Sequence, residues 1–238
     1  MRECLSNFKV AILNRCNTLA LHLLPATCAL CGASTTGERL CAGCEADLPA
    51  LPRPRCAVCA LPLPAGTTCA TCLERAPSYD SIHAAYAYGF PIDALIHAYK
   101  YGAQLSLAPL LAAAVGRDAR TDIDALIPMP LAPQRLRERG FNQAHELARH
   151  LGRALHVPVL PYACRKVTDT PPQAALPWSA RARNVRRAFV CDADLTGLRV
   201  AIVDDVMTTG ATLNELARNV KRAGATHVSG WVIARTLR

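Results

Sequence analysis

Two adjacent acids, Asp204 and Asp205, stand between an apolar run and a loop of small hydroxylic residues. Val200 to Val203 is β-branched and apolar, which predicts a buried parallel strand ending at the acids. Val206 and Met207 follow, then Thr208, Thr209, Gly210, Ala211 and Thr212, and then Leu213, Leu216 and Val220 at helical spacing. A strand that opens through such a loop into a helix makes an anion site, because backbone N–H groups at the helix start point outward. Gly210 permits close backbone approach, and the threonine hydroxyls add donors. The adjacent carboxylates narrow the chemistry. They repel a bare phosphate but suit a ligand that also carries hydroxyls or a bound cation nearby, as a ribose 5-phosphate does. The plainer reading, Asp204 as a turn residue with Thr209 and Thr212 as helix caps, leaves the second acid and the third threonine without a role.

A second chemistry lies in the cysteines. Eight of the twelve form four Cys-x-x-Cys pairs: Cys28/Cys31, Cys41/Cys44, Cys56/Cys59 and Cys69/Cys72. The spacing repeats as pair, nine residues, pair, with eleven residues between the repeats. Each repeat supplies four thiolates, so the arrangement predicts two Cys4 zinc sites, the double zinc ribbon pattern. Sequential pairing is simplest, and interleaved pairing remains open. Four thiolates close a site to substrate, which points to a structural role, against a redox role for the Cys-x-x-Cys pairs. Few large apolar residues lie in this stretch, so metal must supply much of its folding free energy. Cys4, Cys16, Cys164 and Cys191 have no ligand spacing and read as ordinary thiols.

The elements that position these groups follow from periodicity. The sequence predicts a strand over Ala84 to Tyr88, helices over Ile92 to Tyr101, Leu105 to Val115 and Ala144 to Leu155, and strands over Asp124 to Pro130, Val157 to Leu160 and Val228 to Ala234. Strands alternating with helices imply an α/β fold with a mainly parallel sheet, with ligand sites at the strand C-terminal ends. The acid pair and the prolines around Met129 should then share one rim. The expected organisation is an N-terminal helix (1–23), a double zinc ribbon (24–76) and an α/β domain (77–238), with the proline-rich stretch Leu48 to Leu63 as connector. No apolar run is long enough for a transmembrane helix, and the broken N-terminal pattern does not read as a signal peptide. Phe8 to Leu24 reads as an amphipathic helix packed on its own protein, with a membrane-peripheral placement as the second reading. Thiolate zinc pairs without an export signal predict a cytoplasmic protein.

The segment Val203 to Thr212 resembles the phosphoribosyl-pyrophosphate (PRPP) motif of type I phosphoribosyltransferases. The zinc pairs, the run Arg135-x-x-x-Arg139-Gly-Phe-Asn-Gln143, the pattern from Arg165 to Phe189 and the closing Gly224 to Arg235 together resemble the ComF/GntX family. That resemblance implies a type I phosphoribosyltransferase fold, PRPP as ligand, Mg²⁺ accompanying it, and a link in some members to natural competence and the handling of single-stranded DNA. Under it, Val203, Asp204, Asp205, Val206, Met207, Thr208, Thr209, Gly210, Ala211 and Thr212 form the PRPP site. Asp204 and Asp205 take the ribose hydroxyls and, through water, the Mg²⁺. Arg139 and Lys166 are the candidates for pyrophosphate. No acceptor substrate follows from the resemblance, so transferase activity is left open.

Charge fits an anionic ligand. The net charge is +9, and between Arg135 and Arg187 eleven basic residues face three acidic ones. In a transferase, Arg135, Arg137 or Arg139 with Lys166 would neutralise pyrophosphate as its charge grows. In a single-stranded-DNA-binding protein, with PRPP as a regulatory ligand, the same cations would track a phosphate backbone and Phe141 or Trp178 would stack on bases. A solvated basic face is the third reading. The stretch from Cys164 to Asn184, with Pro171 and Pro172, reads as a lid that brings Lys166 and Arg181 over the ligand, or as a plain surface loop.

Overall fold

The structure, a computed structural model, describes residues 26–36, 39–117, 119, 122–167 and 188–237. It divides into two compact units, one ending at Leu48 and one spanning Pro49–Arg238. The expected N-terminal helix, Trp178, Arg181 and most of the lid candidate lie outside the described residues.

In the first unit, β1 (Ala26–Thr27) pairs antiparallel with β2 (Ser34–Thr35), and the short helix α1 spans Ala42–Ala46. Its N-cap is Cys41, whose sulfur accepts from the backbone N–H of Cys44, so one Cys-x-x-Cys turn is also a helix start.

The larger unit opens with the second cysteine repeat, and α2 (Ala70–Glu74) ends that repeat. Residues 49–63 are more than a connector. Leu51 and Ala60 are buried in the main core, Ala50 bridges Tyr86, and Ala87 N–H donates to Pro49 O. Prolines deny this stretch a ladder, but its two apolar anchors hold it against the sheet. Then follow β3 (Ser81–Ala87), α3 (Ile92–Tyr101), α4 (Ala108–Gly116), β4 (Ala125–Pro128), α5 (Pro133–Arg139) and α6 (Gln143–Leu155). The chain continues through β5 (Cys164–Lys166), β6 (Phe189–Cys191), β7 (Arg199–Met207), α7 (Ala211–Arg222) and β8 (His227–Arg235).

The main sheet has the order β3-β8-β7-β4 with every pairing parallel, and β5 and β6 form a separate antiparallel pair. Parallel strands covered by helices should read as continuous apolar runs. β4 is buried at all four positions, and β8 is buried from Val228 to Arg235. Glycine within β8 has a packing reason. A Cβ on Gly230 would lie 2.5 Å from Leu213 Cδ1 and 2.6 Å from Ile82 Cδ1, so its absence lets α7 seat on the sheet. Leu213, Leu216 and Val220 of α7 are buried in that core.

β3 starts earlier than expected, at Ser81, β4 is shorter, at Ala125–Pro128, and three further differences have a clear physical reason. β7 does not stop at the acids but runs to Met207, because β8 offers partners as far as Arg235. The helix expected from Leu105 starts as a 3₁₀ turn over Leu105–Leu107, with Pro109 in the first turn of α4. The strand expected over Val157 to Leu160 is a single parallel bridge from Val159 to Leu126, since Pro158 cannot donate to a ladder.

Candidate ligand-binding cleft and metal centres

A cleft of about 450 Å³ lies at the carboxyl rim of the sheet, where β4 and β7 end side by side. Its floor holds Asp204 and Asp205, and its lining includes Lys100, Arg135, Arg139 and Lys166. Val206, Met207, Thr208, Gly210, Ala211 and Thr212 line the same space. Residues far apart in sequence thus converge because each parallel strand delivers its C-terminal loop to one edge. Val203, by contrast, is fully buried in the sheet, and Thr209 lines a neighbouring cavity. Thr209 Oγ1 accepts from Ala211 N–H at 3.1 Å, which shapes the turn into α7. Arg137 is not among the residues lining the cleft.

The acids sit in different environments. Asp205 is buried at 3% exposure, and Lys100 Nζ lies 2.8 Å from its Oδ2. Gln143 Nε2 donates to the same oxygen at 3.1 Å, and Arg139 Nη1 donates to Gln143 Oε1 at 2.6 Å. A chain Arg139–Gln143–Asp205–Lys100 therefore crosses the cleft floor. Burial opposes the charge on Lys100, but Asp205 and then Asp204 outweigh it and hold the ammonium above its ordinary value. Asp204 is half-buried and accepts the Asp205 N–H on Oδ1 at 2.9 Å. Burial, then the neighbouring Asp205 carboxylate, push its carboxyl up to about 7, against the pull of Lys100, the Asp205 N–H and Arg139. Four cations facing two acids leave the cleft net positive, so it favours an anion carrying groups that the acids can accept.

Gly210 allows the turn. Its φ is +80°, and a Cβ there would collide with Met207 Cε and approach Tyr79 Oη to 3.2 Å. On the opposite wall, Asn142 caps α6 by accepting from Ala144 and His145 N–H, and donates to Met129 O at 3.1 Å. That bond fixes the β4 exit against the start of α6, where Gln143 is carried. Tyr99 Oη donates to Gln143 O at 2.8 Å, and the Arg139 guanidinium lies 5.3 Å from the centre of the Tyr101 ring. Phe141 packs with Tyr99 at 6.2 Å between ring centres.

Lys100 was not anticipated from sequence. The available signal was its spacing. On α3 it falls four residues after buried Ile96 and beside buried Tyr99, so a lysine on the inward face required an anionic partner. Cys164 and Cys191 face each other across β5 and β6, and burial pushes the Cys164 thiol up.

The metal-ligating cysteines pair sequentially. Cys28, Cys31, Cys41 and Cys44 form one cluster and Cys56, Cys59, Cys69 and Cys72 the other, with the four sulfurs of each within 4.8 Å of one another. Cys31 and Cys41 Sγ are 3.7 Å apart, and Cys59 and Cys69 Sγ 3.6 Å. A tetrahedron with Zn–S bonds of about 2.3 Å has edges of about 3.8 Å. Both all-thiolate clusters fit Zn²⁺ and leave no position for substrate.

A parallel sheet with an acid pair and a glycine-threonine loop on its carboxyl rim, carried with Cys4 clusters, defines an α/β protein with a double zinc ribbon. The family model described as the double zinc ribbon domain matches residues 19–73. Competence protein F of Haemophilus influenzae is 35% identical over 208 residues, covering 82% of this chain and 90% of that protein. The DNA utilization protein YhgH of Escherichia coli K12 is 33% identical over 191 residues, covering 76% and 84%. Among solved structures, a glutamine PRPP amidotransferase from Bacillus subtilis complexed with ADP and GMP aligns at TM-score 0.38 and 20% identity. It covers 53% of this chain, and this chain spans 26% of that one. The chain belongs to the competence protein F (ComF) family. Among the described residues, no helix is long and apolar enough to cross a membrane.

Proposed function

We propose that the cleft binds PRPP or a closely related ribose 5-phosphate ligand. The observation that carries this reading is the convergence on one rim of the acid pair, the Thr208–Thr212 loop and four cations. The loop N–H groups and hydroxyls take the 5-phosphate, as at other helix starts. Asp204 accepts ribose hydroxyls. Asp205, oriented by Lys100 and Gln143, stands beside it to share the ribose hydroxyls, and through water the pair would hold a Mg²⁺ that screens the pyrophosphate. Lys100, Arg135, Arg139 and Lys166 complement the pyrophosphate charge. If a phosphoribosyl group is transferred, these cations would stabilise the leaving group, and no covalent protein intermediate is required.

A second reading, binding of single-stranded DNA with PRPP as a regulatory ligand, is motivated by the names of two relatives, a competence protein and a DNA utilization protein. It draws on the same cations. Phe141 does not favour it, because that ring packs with Tyr99.

Calorimetry on zinc-loaded protein separates the readings. PRPP with Mg²⁺ should bind more tightly than ribose 5-phosphate or pyrophosphate alone. Equal affinity for the three would remove the ribose role of the acids. Salt-sensitive binding of single-stranded DNA with no PRPP binding would favour the second reading.

A further inference from the structure

Arg235 does not itself line the cleft described above, but its side chain holds the main chain of two residues that do. Arg235 ends β8, and its Cα pairs with that of Met207, the last residue of β7 before the loop. Its side chain is buried, at 4% exposure for the residue. Nη1 donates to Met207 O at 3.1 Å, to Thr236 O at 2.8 Å and, in a short contact, to Thr208 O. Nε donates to Cys59 O at 3.0 Å. All four acceptors are backbone carbonyls. The guanidinium lies beside the thiolate cluster, and its four bonds to main chain tie separate segments together, so it is placed to fix their relative position.

One end of this bond set is the phosphate loop and the other is a metal turn. Cys59 closes the turn Cys56-x-x-Cys59, in which Ala60 N–H donates to Cys56 O at 2.9 Å and Cys56 N–H to Leu61 O at 2.8 Å. The Cys59 sulfur is a ligand of the second cluster, so the place of its carbonyl depends on the thiolates being drawn together. Between turn and loop lies a cavity of about 760 Å³, lined by Cys59, Cys69, Thr208, Thr209, Gly210 and Arg235 among others. Across that space Arg235 bonds to both sides.

We propose that Arg235 is a positioning residue through which the second Cys4 centre sets the conformation of the phosphate loop. Zinc at Cys56, Cys59, Cys69 and Cys72 then governs ligand affinity at a loop that it does not touch. This rests on the ligand reading above only for the affinity readout.

The test is a double-mutant cycle on the full chain, with Arg235→Met, Cys59→Ser, and both together. Two quantities are followed: amide hydrogen exchange across residues 207–211 and PRPP affinity with Mg²⁺. Each single variant should speed exchange in the loop and weaken PRPP by roughly tenfold or more, as expected when a positioning contact is lost. The double variant should be no worse than the poorer single, because both break one connection. Additive effects, or unchanged loop exchange, would overturn the proposal. Should Arg235→Met not fold, Arg235→Lys and removal of zinc from the wild-type chain by a chelator give the same comparison. If wild-type protein shows the exchange coupling but binds no PRPP, the ligand reading fails and the coupling stands.

Discussion

Replacing Asp204 with Asn should make the protein more stable while weakening the proposed ligand binding. The carboxyl is held at about 7 against an ordinary value of 3.8. Between those values the folded chain keeps a proton that the unfolded chain has lost. Stability therefore falls as pH rises from about 4 to about 7, and the whole penalty is present above that window. At ~1.4 kcal/mol per pH unit the upper bound is ~4 kcal/mol. Asp204 is partly exposed and shares its field with Asp205 and Lys100, so roughly 1–2 kcal/mol should be realised. Asn keeps an oxygen to accept the Asp205 N–H and removes the charge. For a unit of this size the gain corresponds to a Tm increase of about 2–8 °C. Thermal unfolding of zinc-loaded wild type and Asp204→Asn should be followed across about pH 5 to 8.5. The gap should widen up to about pH 7 and then level off. A gap independent of pH, or a less stable variant at high pH, would refute the electrostatic argument.

Other consequences can be checked with the same material. Lys100→Met leaves the Asp205 carboxylate buried beside Asp204 without its ammonium, which should cost about 3 kcal/mol in denaturant unfolding and weaken PRPP at least about tenfold. Gly210→Ala forces a non-glycine residue to a φ of +80° against Met207 and Tyr79, so about 1–2 kcal/mol should be lost. Calorimetry should show a larger proportional loss of PRPP affinity in that variant, since the strain falls on the loop itself. Asp80 accepts Val228 N–H and pairs with Lys221 at 2.7 Å, and after burial is offset these hold its carboxyl below its ordinary value. Asp80→Asn should therefore cost about 1 kcal/mol above about pH 5, with the difference shrinking as pH falls through the carboxylate range.

Much of the site could be read in the sequence because its parts are local. The loop from Thr208 to Thr212 is continuous, and the Cys-x-x-Cys turns carry their ligand spacing with them. Helix α3 was expected over Ile92 to Tyr101 and is found there, since buried Ile92, Leu95, Ile96 and Tyr99 share one face. What escaped depends on contacts between distant segments. Lys100 acquires its meaning only when α3 is laid beside the end of β7. Arg235 closes a family pattern in the sequence, but its bonds to Cys59 and Thr208 span the chain. The extension of β7 past the acids was hidden for the same reason, because β8 supplies its partners. The placement of the second cysteine repeat within the larger unit rests on Leu51 and Ala60, two apolar residues among prolines.

The most direct measurement is PRPP binding, with Mg²⁺, to zinc-loaded wild type and to Asp204→Asn/Asp205→Asn, with zinc content and unfolding recorded on both. The account predicts measurable binding to the wild type and none to the double variant, with both zinc centres filled and the fold retained. Equal affinity in the two proteins would contradict it.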